Sequence, residues 1–259
     1  MASTFVIGDI HGEITKLKQL IANLEKQGID KLIFLGDYID KGENSRKTLE
    51  YLDKLRKEYN CTFLIGNHEY IWLNFISIRK EKNPKDCEEF ILKYGGETTI
   101  KDFNMLNLTK DEVLNKLYNP FKEFFDSLKS FIITNEFNIT HSGVNMELDH
   151  KNDWNTFEKK EFLFQRHNFI DSHELINNRI TIFGHTAFTY PYVDDFKIGI
   201  DTGAAYLKDT PLTAFNINKK VFINNLNEIV SLNDLQEKGQ SEIIKLKKKK
   251  ELEKECEKI

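Results

Sequence analysis

Residues 4–12 of this 259-residue chain read TFVIGDIHG, an apolar, β-branched run that ends directly before Asp9 and His11. The same order recurs in residues 31–42, KLIFLGDYIDKG, and in residues 62–69, TFLIGNHE. A short apolar run bounded by glycine is typical of a buried strand. Each of the three runs therefore predicts a strand that presents polar side chains at the point where it ends.

Helical patterns separate these strands. Residues 13–26 and 44–57 carry leucine and isoleucine at spacings of three and four, which predicts amphipathic helices, and residues 69–79 begin a third. The β-α-β-α-β order predicts parallel strands with helices packed on the sheet. Because ligands bind at the carboxyl ends of such strands, the polar residues are expected to meet at one edge of the sheet.

Two later fragments repeat the pattern. Residues 140–143, THSG, and residues 184–186, GHT, each follow an apolar run. Carboxylate, imidazole and amide oxygen suit borderline divalent ions, and a hydrolytic two-metal site needs a shared ligand. The sequence therefore predicts a two-metal site with the ligands Asp9, His11, Asp37, Asn67, His141 and His185, in which Asp37 is the bridge.

Taken together, the predicted elements indicate one catalytic domain over residues 1–230. Residues 80–128 are polar and helical in period but rich in aromatic residues, which predicts a helical insertion beside the site rather than a disordered linker. Further strands are predicted at residues 131–134, 137–140, 179–183, 196–200, 212–217 and 221–224. The last three are expected to be antiparallel strands that complete a second sheet, because no long helix separates them. Residues 231–259 are lysine-rich and of low complexity, which predicts a flexible tail.

Composition and sequence pattern argue against several classes of protein. The chain has 37 basic and 41 acidic side chains and a net charge of −4, which does not favour a nucleic-acid or membrane-surface partner. The N-terminus lacks a signal-peptide pattern, and no apolar stretch approaches the ~20 residues needed to cross a bilayer. The 3 cysteines show no CxxC spacing, which favours a reducing, cytoplasmic location.

The five fragments together resemble the signatures of the calcineurin-like metallophosphoesterase superfamily. More narrowly, they resemble the phosphoprotein phosphatase family with its bacterial and phage serine/threonine phosphatases, whose motifs are GDxHG, GDxVDRG, GNHE and two later histidine turns. Residues 200–204, IDTGA, resemble the bacterial and phage branch. The resemblance covers residues 5–217. It implies an α/β fold of the metallophosphoesterase type, a β-sandwich of mixed sheets flanked by helices.

The resemblance also implies roles for individual residues. Asp9, His11 and Asp37 would bind the first metal, and Asp37, Asn67, His141 and His185 the second. His68 would be the general acid, oriented by Asp40, and Arg166 and Lys41 would bind the substrate phosphate. Hydrolysis would proceed by direct attack of a metal-bridging hydroxide. Manganese is the metal that the resemblance favours, and the ligand set also suits iron, zinc or nickel.

The chain departs from the family pattern at two positions. Lys41 stands where arginine is usual, so it offers a point charge in place of a bidentate fork. Ser142 replaces a glycine, and a residue this small is expected to have little effect. Arg166 lies outside any sharp motif, so a surface arginine without a phosphate-binding role is the alternative.

The leading functional hypothesis is a phosphatase acting on phosphoserine and phosphothreonine, with a phosphorylated protein or a small phosphoester as substrate. Residues 40–42 and Glu69 favour it over the alternative, hydrolysis of a dinucleoside polyphosphate such as diadenosine tetraphosphate. Specificity depends on the walls around the metal core, so the metal ligands do not decide between them. Two further hypotheses are a non-catalytic binding module and a regulator that is anchored through the lysine-rich tail. The sequence does not indicate an oligomeric state.

Overall fold

The computed structural model describes residues 3–77, 84–207 and 209–235, and it contains two packed sheets. The first sheet has six strands in the order β11-β10-β9-β1-β2-β3, and the second has five in the order β4-β5-β6-β8-β7. The strands are β1 Ser3–Ile7, β2 Ile29–Phe34, β3 Asn60–Phe63, β4 Phe131–Ile133, β5 Phe137–Thr140, β6 Ile180–Phe183, β7 Tyr192–Val193, β8 Lys197–Gly199, β9 Thr213–Asn216, β10 Val221–Asn224 and β11 Ile229–Ser231. This architecture is the helix-flanked sandwich of mixed sheets that the sequence predicts.

Helices cover the first sheet and fill the region that follows it. The α-helices are α1 Ile14–Glu25, α2 Ser45–Glu58, α3 Asn67–Ser77, α4 Pro84–Lys93, α5 Glu97–Asp102, α6 Lys110–Glu112, α7 Lys122–Asp126 and α8 His167–Ile170. A π-helical turn spans Val113–Tyr118, and 3-10 turns span Asn119–Phe121, Trp154–Thr156 and Lys159–Phe162. No helix among the described residues is long and apolar enough to cross a bilayer.

The alternation of side chains along β1 and β2 explains the layers. Phe5, Ile7 and Phe34 belong to the core under the helices, whereas Val6 and Ile33 point into the core between the sheets. Successive side chains of a strand face opposite sides, so a continuous apolar run fills both cores. Strands β1, β2 and β3 pair in parallel, as the β-α-β-α-β pattern predicts.

The last strands differ from the prediction. β8 joins the second sheet, where it pairs in parallel with β6. β9 and β10 form an antiparallel hairpin, as expected, but β9 pairs with β1, so the hairpin completes the first sheet and not the second. Periodicity identifies strands but does not show which free edge a hairpin will join. Here β9 takes the free edge of β1, while β7 covers the outer side of β8.

The predicted insertion is helical in the part that the structure describes, from residue 84 onward; residues 80–83 lie outside the described ranges. Its residues Ile91, Phe103, Leu117 and Phe124 belong to the same buried cluster as α1 and α2. The insertion therefore packs onto the main core. The predicted tail stays a prediction: residues 236–259 lie outside the described part of the chain, and before them β11 forms and Leu235 is buried.

Candidate active site

The chain turns sharply where the strands end, and it does so at residues of the predicted site. His11, Asp37 and His185 have φ values of 46°, 53° and 63°, in the left-handed region that L-residues rarely adopt. Such conformations cost ~1–3 kcal/mol and persist where the surroundings enforce them, typically at functional sites. All six predicted metal ligands are buried and lie at this edge of the two sheets.

Two glycines allow the loops to approach the carboxylates. A Cβ at Gly66 would lie 2.1 Å from Asp37 Oδ1, and a Cβ at Gly184 would lie 2.1 Å from Asp9 Oδ1. Any side chain at these positions would collide with a ligand atom. The glycine in each motif is therefore required by the close packing of backbone against carboxylate.

Asp37 occupies the centre of the site. Its Oδ2 lies 3.4 Å from His11 Nε2, and its Oδ1 lies 3.5 Å from His141 Nε2. Two groups of potential metal ligands meet at this residue: His11, Asp37 and His68 form one, and Asp37, His141 and His185 form the other. The carboxylate is thus placed between two ligand groups, as a bridging ligand must be.

Two imidazoles present a bare nitrogen to the centre. His11 Nδ1 lies 2.9 Å from the carbonyl oxygen of Ile39, and His141 Nδ1 lies 2.9 Å from that of Leu35. Because a carbonyl only accepts, each Nδ1 carries the proton and, in the neutral ring, each Nε2 keeps its lone pair. Histidines that bind metals are fixed by the same kind of outer hydrogen bond.

The second ligand group fits a cation. His141 Nε2 lies 3.0 Å from Asn67 Oδ1 and 3.5 Å from Asp37 Oδ1, so three lone pairs converge. His185 Nδ1 lies 2.8 Å from the same Asn67 oxygen. The lone pairs of His141 Nε2, Asn67 Oδ1 and Asp37 Oδ1 repel one another at these distances unless a positive charge stands between them. The donor set of imidazole, carboxylate and amide oxygen suits a divalent metal.

The first group fits a cation too. Lys41 Nζ lies 3.0 Å from His11 Nε2, so an ammonium donates to the nitrogen lone pair beside Asp37. Asp9 Oδ2 accepts the His185 N–H at 2.9 Å, while Asp9 Oδ1 is buried without a hydrogen-bond partner among the described residues. Burial, with Asp201 and Asp37 nearby, raises the pKa of Asp9 well above its usual range. A divalent ion here would satisfy the orphaned oxygen and favour the ionised carboxylate.

His68 is held differently from the other imidazoles. Its Nδ1 lies 2.7 Å from Asp40 Oδ2, and Asp40 is itself fixed by Trp72 Nε1 at 3.0 Å and by Thr99 Oγ1, which donates to Oδ1 at 2.6 Å. His68 Nε2 points to the centre, 3.9 Å from Asp37 Oδ2. Asp40 therefore orients the ring as the sequence resemblance implies, with support from α3 and from the insertion.

Burial and nearby charge give His68 a different protonation preference from the other three histidines of the site. Burial lowers the pKa of His11, His141 and His185 below the ordinary histidine value, which favours neutral rings that can bind metal. Burial also opposes charge on His68, but Asp37 and the hydrogen bond to Asp40 outweigh it, so the pKa of His68 is raised. A proton donor needs this bias toward the imidazolium.

The centre opens into a cleft of about 500 Å³, which is lined by Asp37, Asn67, His68 and His185. Lys41 and Arg166, the two predicted phosphate-binding residues, both line the cleft. Arg166 is exposed, and its Nη1 lies 3.4 Å from Thr186 Oγ1, next to His185. The structure therefore brings Arg166 to the site, although no sharp motif marks it.

The sequence did not predict the supporting roles of two buried carboxylates, Glu69 and Asp201. Glu69 is fully buried, and its carboxylate accepts the backbone N–H groups of Asp37 and Tyr38 at 2.9 and 2.8 Å, which ties the second motif to the third. Asp201 Oδ2 accepts the Tyr206 hydroxyl at 3.0 Å, and the Tyr206 ring lies 4.3 Å from Lys41 Nζ. Only the motif-like context of residues 200–204 signalled Asp201 beforehand.

A helix-flanked sandwich whose strand ends hold two ligand groups with one shared carboxylate defines a metal-dependent phosphoesterase. The family model for calcineurin-like phosphoesterases matches residues 2–198, and the chain belongs to that family. Its members use divalent metals, and the chain is thus a hydrolase of the metallophosphoesterase superfamily. The resemblance seen in the motifs is confirmed at this level.

Known proteins resemble the chain to different extents. It is 25% identical over 244 residues to the bis(5'-nucleosyl)-tetraphosphatase PrpE [asymmetrical] of Oceanobacillus iheyensis, covering 85% of this chain and 90% of that protein. A symmetrical bis(5'-nucleosyl)-tetraphosphatase of Marinomonas is 41% identical, but over only 68 residues, 24% of its length.

Two solved structures show the same fold. The cold-active protein-tyrosine phosphatase of a Shewanella species has a TM-score of 0.60 at 14% identity, with 90% of this chain and 80% of that one covered. A protein serine/threonine phosphatase of Saccharomyces cerevisiae has a TM-score of 0.53 at 16% identity, with 83% and 72% covered. Both likenesses concern the fold alone.

Proposed function

We propose that the chain hydrolyses dinucleoside polyphosphates such as diadenosine tetraphosphate. The observation that carries the proposal is the likeness to PrpE, which extends over 85% of this chain and 90% of the relative. The sequence motifs alone favour a phosphoserine and phosphothreonine phosphatase, so the end-to-end likeness reverses the order of the two hypotheses.

The distribution of positive charge supports a substrate with several phosphates. Lys41 lies beside His11 of the first ligand group, and Arg166 lies beside Thr186 and His185 of the second. Two cations in one cleft, one near each ligand group, can contact more than one phosphate of a chain.

Glu69 does not argue for protein phosphatase activity once its contacts are known. Its carboxylate binds backbone amides of the second motif and does not line the cleft. It therefore supports the metal-binding loops of either kind of enzyme. Residues 40–42 remain the feature that favours phosphoserine and phosphothreonine as substrates, and this stays the second candidate function.

The residues divide the chemistry among themselves. Two divalent ions held by Asp9, His11, Asp37, Asn67, His141 and His185, for which manganese is our choice, would supply an activated water and polarise the phosphoryl oxygens. His68 Nε2 gives its proton to the leaving oxygen as the P–O bond breaks, and Asp40 stabilises the imidazolium before transfer. Arg166 and Lys41 offset charge on the non-bridging oxygens.

The test is a comparison of kcat/KM with added manganese for diadenosine tetraphosphate, a phosphoserine peptide and β-glycerophosphate. We expect the dinucleotide to be preferred by about tenfold or more, a difference of ~1.4 kcal/mol in transition-state binding. Chromatography of the products checks that a nucleotide is released. A phosphoserine peptide that is the better substrate would establish the second candidate instead.

Ser142 gives a further prediction, because its hydroxyl braces the segment that carries Arg166. The buried Oγ donates to the Phe162 carbonyl at 2.8 Å and accepts the Gln165 N–H at 2.9 Å. We expect Ser142→Ala to raise KM about 3- to 10-fold with little change in kcat. Loss of two hydrogen bonds, ~1 kcal/mol each, should also lower Tm by about 3–8 °C.

The matched control is Ser127→Ala, which removes a hydroxyl that donates to the Phe124 carbonyl at 2.7 Å, outside the cleft. It should lower Tm with KM unchanged. If both variants change KM equally, Ser142 has no specific part in positioning Arg166.

A further inference from the structure

Exposed aromatic side chains are concentrated at the mouth of the catalytic cleft. Among the side chains that the structure describes, four large aromatic residues are more than a third exposed: Tyr94, Phe164, Tyr190 and Tyr206. Three of the four, all except Tyr190, line this one cleft. Exposed aromatic surface beside a polar centre is typical of a binding site.

The three rings are not equally available to a ligand. The Tyr206 ring is anchored through its hydroxyl to Asp201, and Lys41 Nζ stands over its face at 4.3 Å. Lys93 Nζ lies 5.5 Å from the centre of the Tyr94 ring. These two tyrosines thus already have partners within the protein.

Phe164 differs because it has no polar atom and is 40% exposed. Its one ring contact among the described residues is edge-to-face with Tyr70, with centroids 6.1 Å apart and planes at 72°. That contact supports the ring from one side. An apolar ring that faces water gains most from a flat, aromatic ligand.

The position of Phe164 relative to positive charge identifies the ligand. Phe164 precedes Arg166 by two residues, and both side chains line the cleft. Ser142 holds the backbone between them through the Gln165 N–H, so the ring and the guanidinium are presented by one fixed segment. A molecule that fits this pair has a phosphate joined to an aromatic ring system.

We propose that Phe164 is the stacking surface for the nucleobase of the nucleotide whose phosphate Arg166 binds. The proposal deepens the proposed function and rests on it, since a dinucleoside polyphosphate carries such a base at each end. Stacking on an aromatic ring accepts any base, because every base has a flat face. Purines should therefore bind alike, and pyrimidines, which have the smaller ring system, should bind more weakly.

The experiment measures inhibition of β-glycerophosphate hydrolysis, with manganese present, by AMP and by ribose 5-phosphate. The two inhibitors share the sugar phosphate and differ by the base. The wild type should bind AMP about 5- to 100-fold more tightly, the usual effect of one stacked base. Phe164→Ala should bring this ratio close to one, and Phe164→Trp should keep it. Tyr190→Ala, which removes the exposed aromatic outside the cleft, should leave the ratio unchanged.

A wild-type ratio near one, or a ratio that Phe164→Ala leaves unchanged, overturns the proposal even if diadenosine tetraphosphate is the best substrate. A ratio that falls in Phe164→Ala supports the base-binding surface even if the dinucleotide is not preferred, in which case the proposed function alone fails. If Phe164→Ala leaves the inhibitor ratio unchanged and lowers kcat/KM only for a phosphotyrosine peptide, the ring contacts a phenolic leaving group and the nucleobase is rejected.

Discussion

Replacement of His68 by asparagine is expected to reduce kcat by about 10²- to 10⁴-fold, the usual contribution of a general acid, while metal content stays near that of the wild type. Asp40 fixes the ring through Nδ1, which leaves Nε2 facing the cleft as the proton donor. The effect should be large for β-glycerophosphate, whose alkoxide leaves poorly. It should be much smaller for para-nitrophenyl phosphate, whose phenolate leaves without a proton.

This dependence on the leaving group separates two roles for His68. The ring also lies within the first ligand group, with His11 and Asp37, so a metal-binding role is the geometric rival. A lost ligand would lower metal content and reduce turnover of both substrates alike. Elemental analysis together with the two rates decides between the roles, and an equal loss on both substrates would refute proton transfer. His173→Asn makes the same chemical change at an exposed histidine and should alter neither.

The sequence predicts the N-terminal half of the fold well, because the apolar runs of the strands and the leucine spacing of the helices indicate the same β-α-β-α-β order. The apolar runs of β1, β2 and β3 fill two cores at once, and the leucine spacing of α1 and α2 covers one of them. The position of the β9–β10 hairpin could not be predicted in the same way. Its pairing with β1 depends on how the chain returns from β8, which local pattern does not contain.

In the candidate site, too, local sequence motifs reveal some residues, whereas others are brought in only by the fold. Residues that must supply a particular atom, such as Asp37 and His141, stand in motifs at strand ends and can be read from the sequence. Residues that hold those atoms in place come from distant segments. Thr99 reaches Asp40 across 59 positions, and Ser142 reaches Gln165 across 23. Serine and threonine are too common for either to stand out before the segments are brought together.

Asp37→Asn should have the most severe effect of any single substitution in the site. The two carboxylate oxygens face different ligand groups, Oδ2 toward His11 and Oδ1 toward His141. An asparagine keeps the shape but turns one oxygen into an amide nitrogen, which does not bind divalent metals, and it removes the negative charge between the two sites. We therefore expect metal content to fall from about two ions per chain to one or fewer.

Activity should fall with the metals, by ~10³-fold or more, because each ion contributes several kcal/mol to the stability of the transition state. Asp53→Asn is the matched control: this aspartate pairs with Arg56 and Lys57 on α2, away from the cleft. It should retain both ions and full activity. If Asp37→Asn binds two ions as tightly as the wild type, Asp37 is not the bridge.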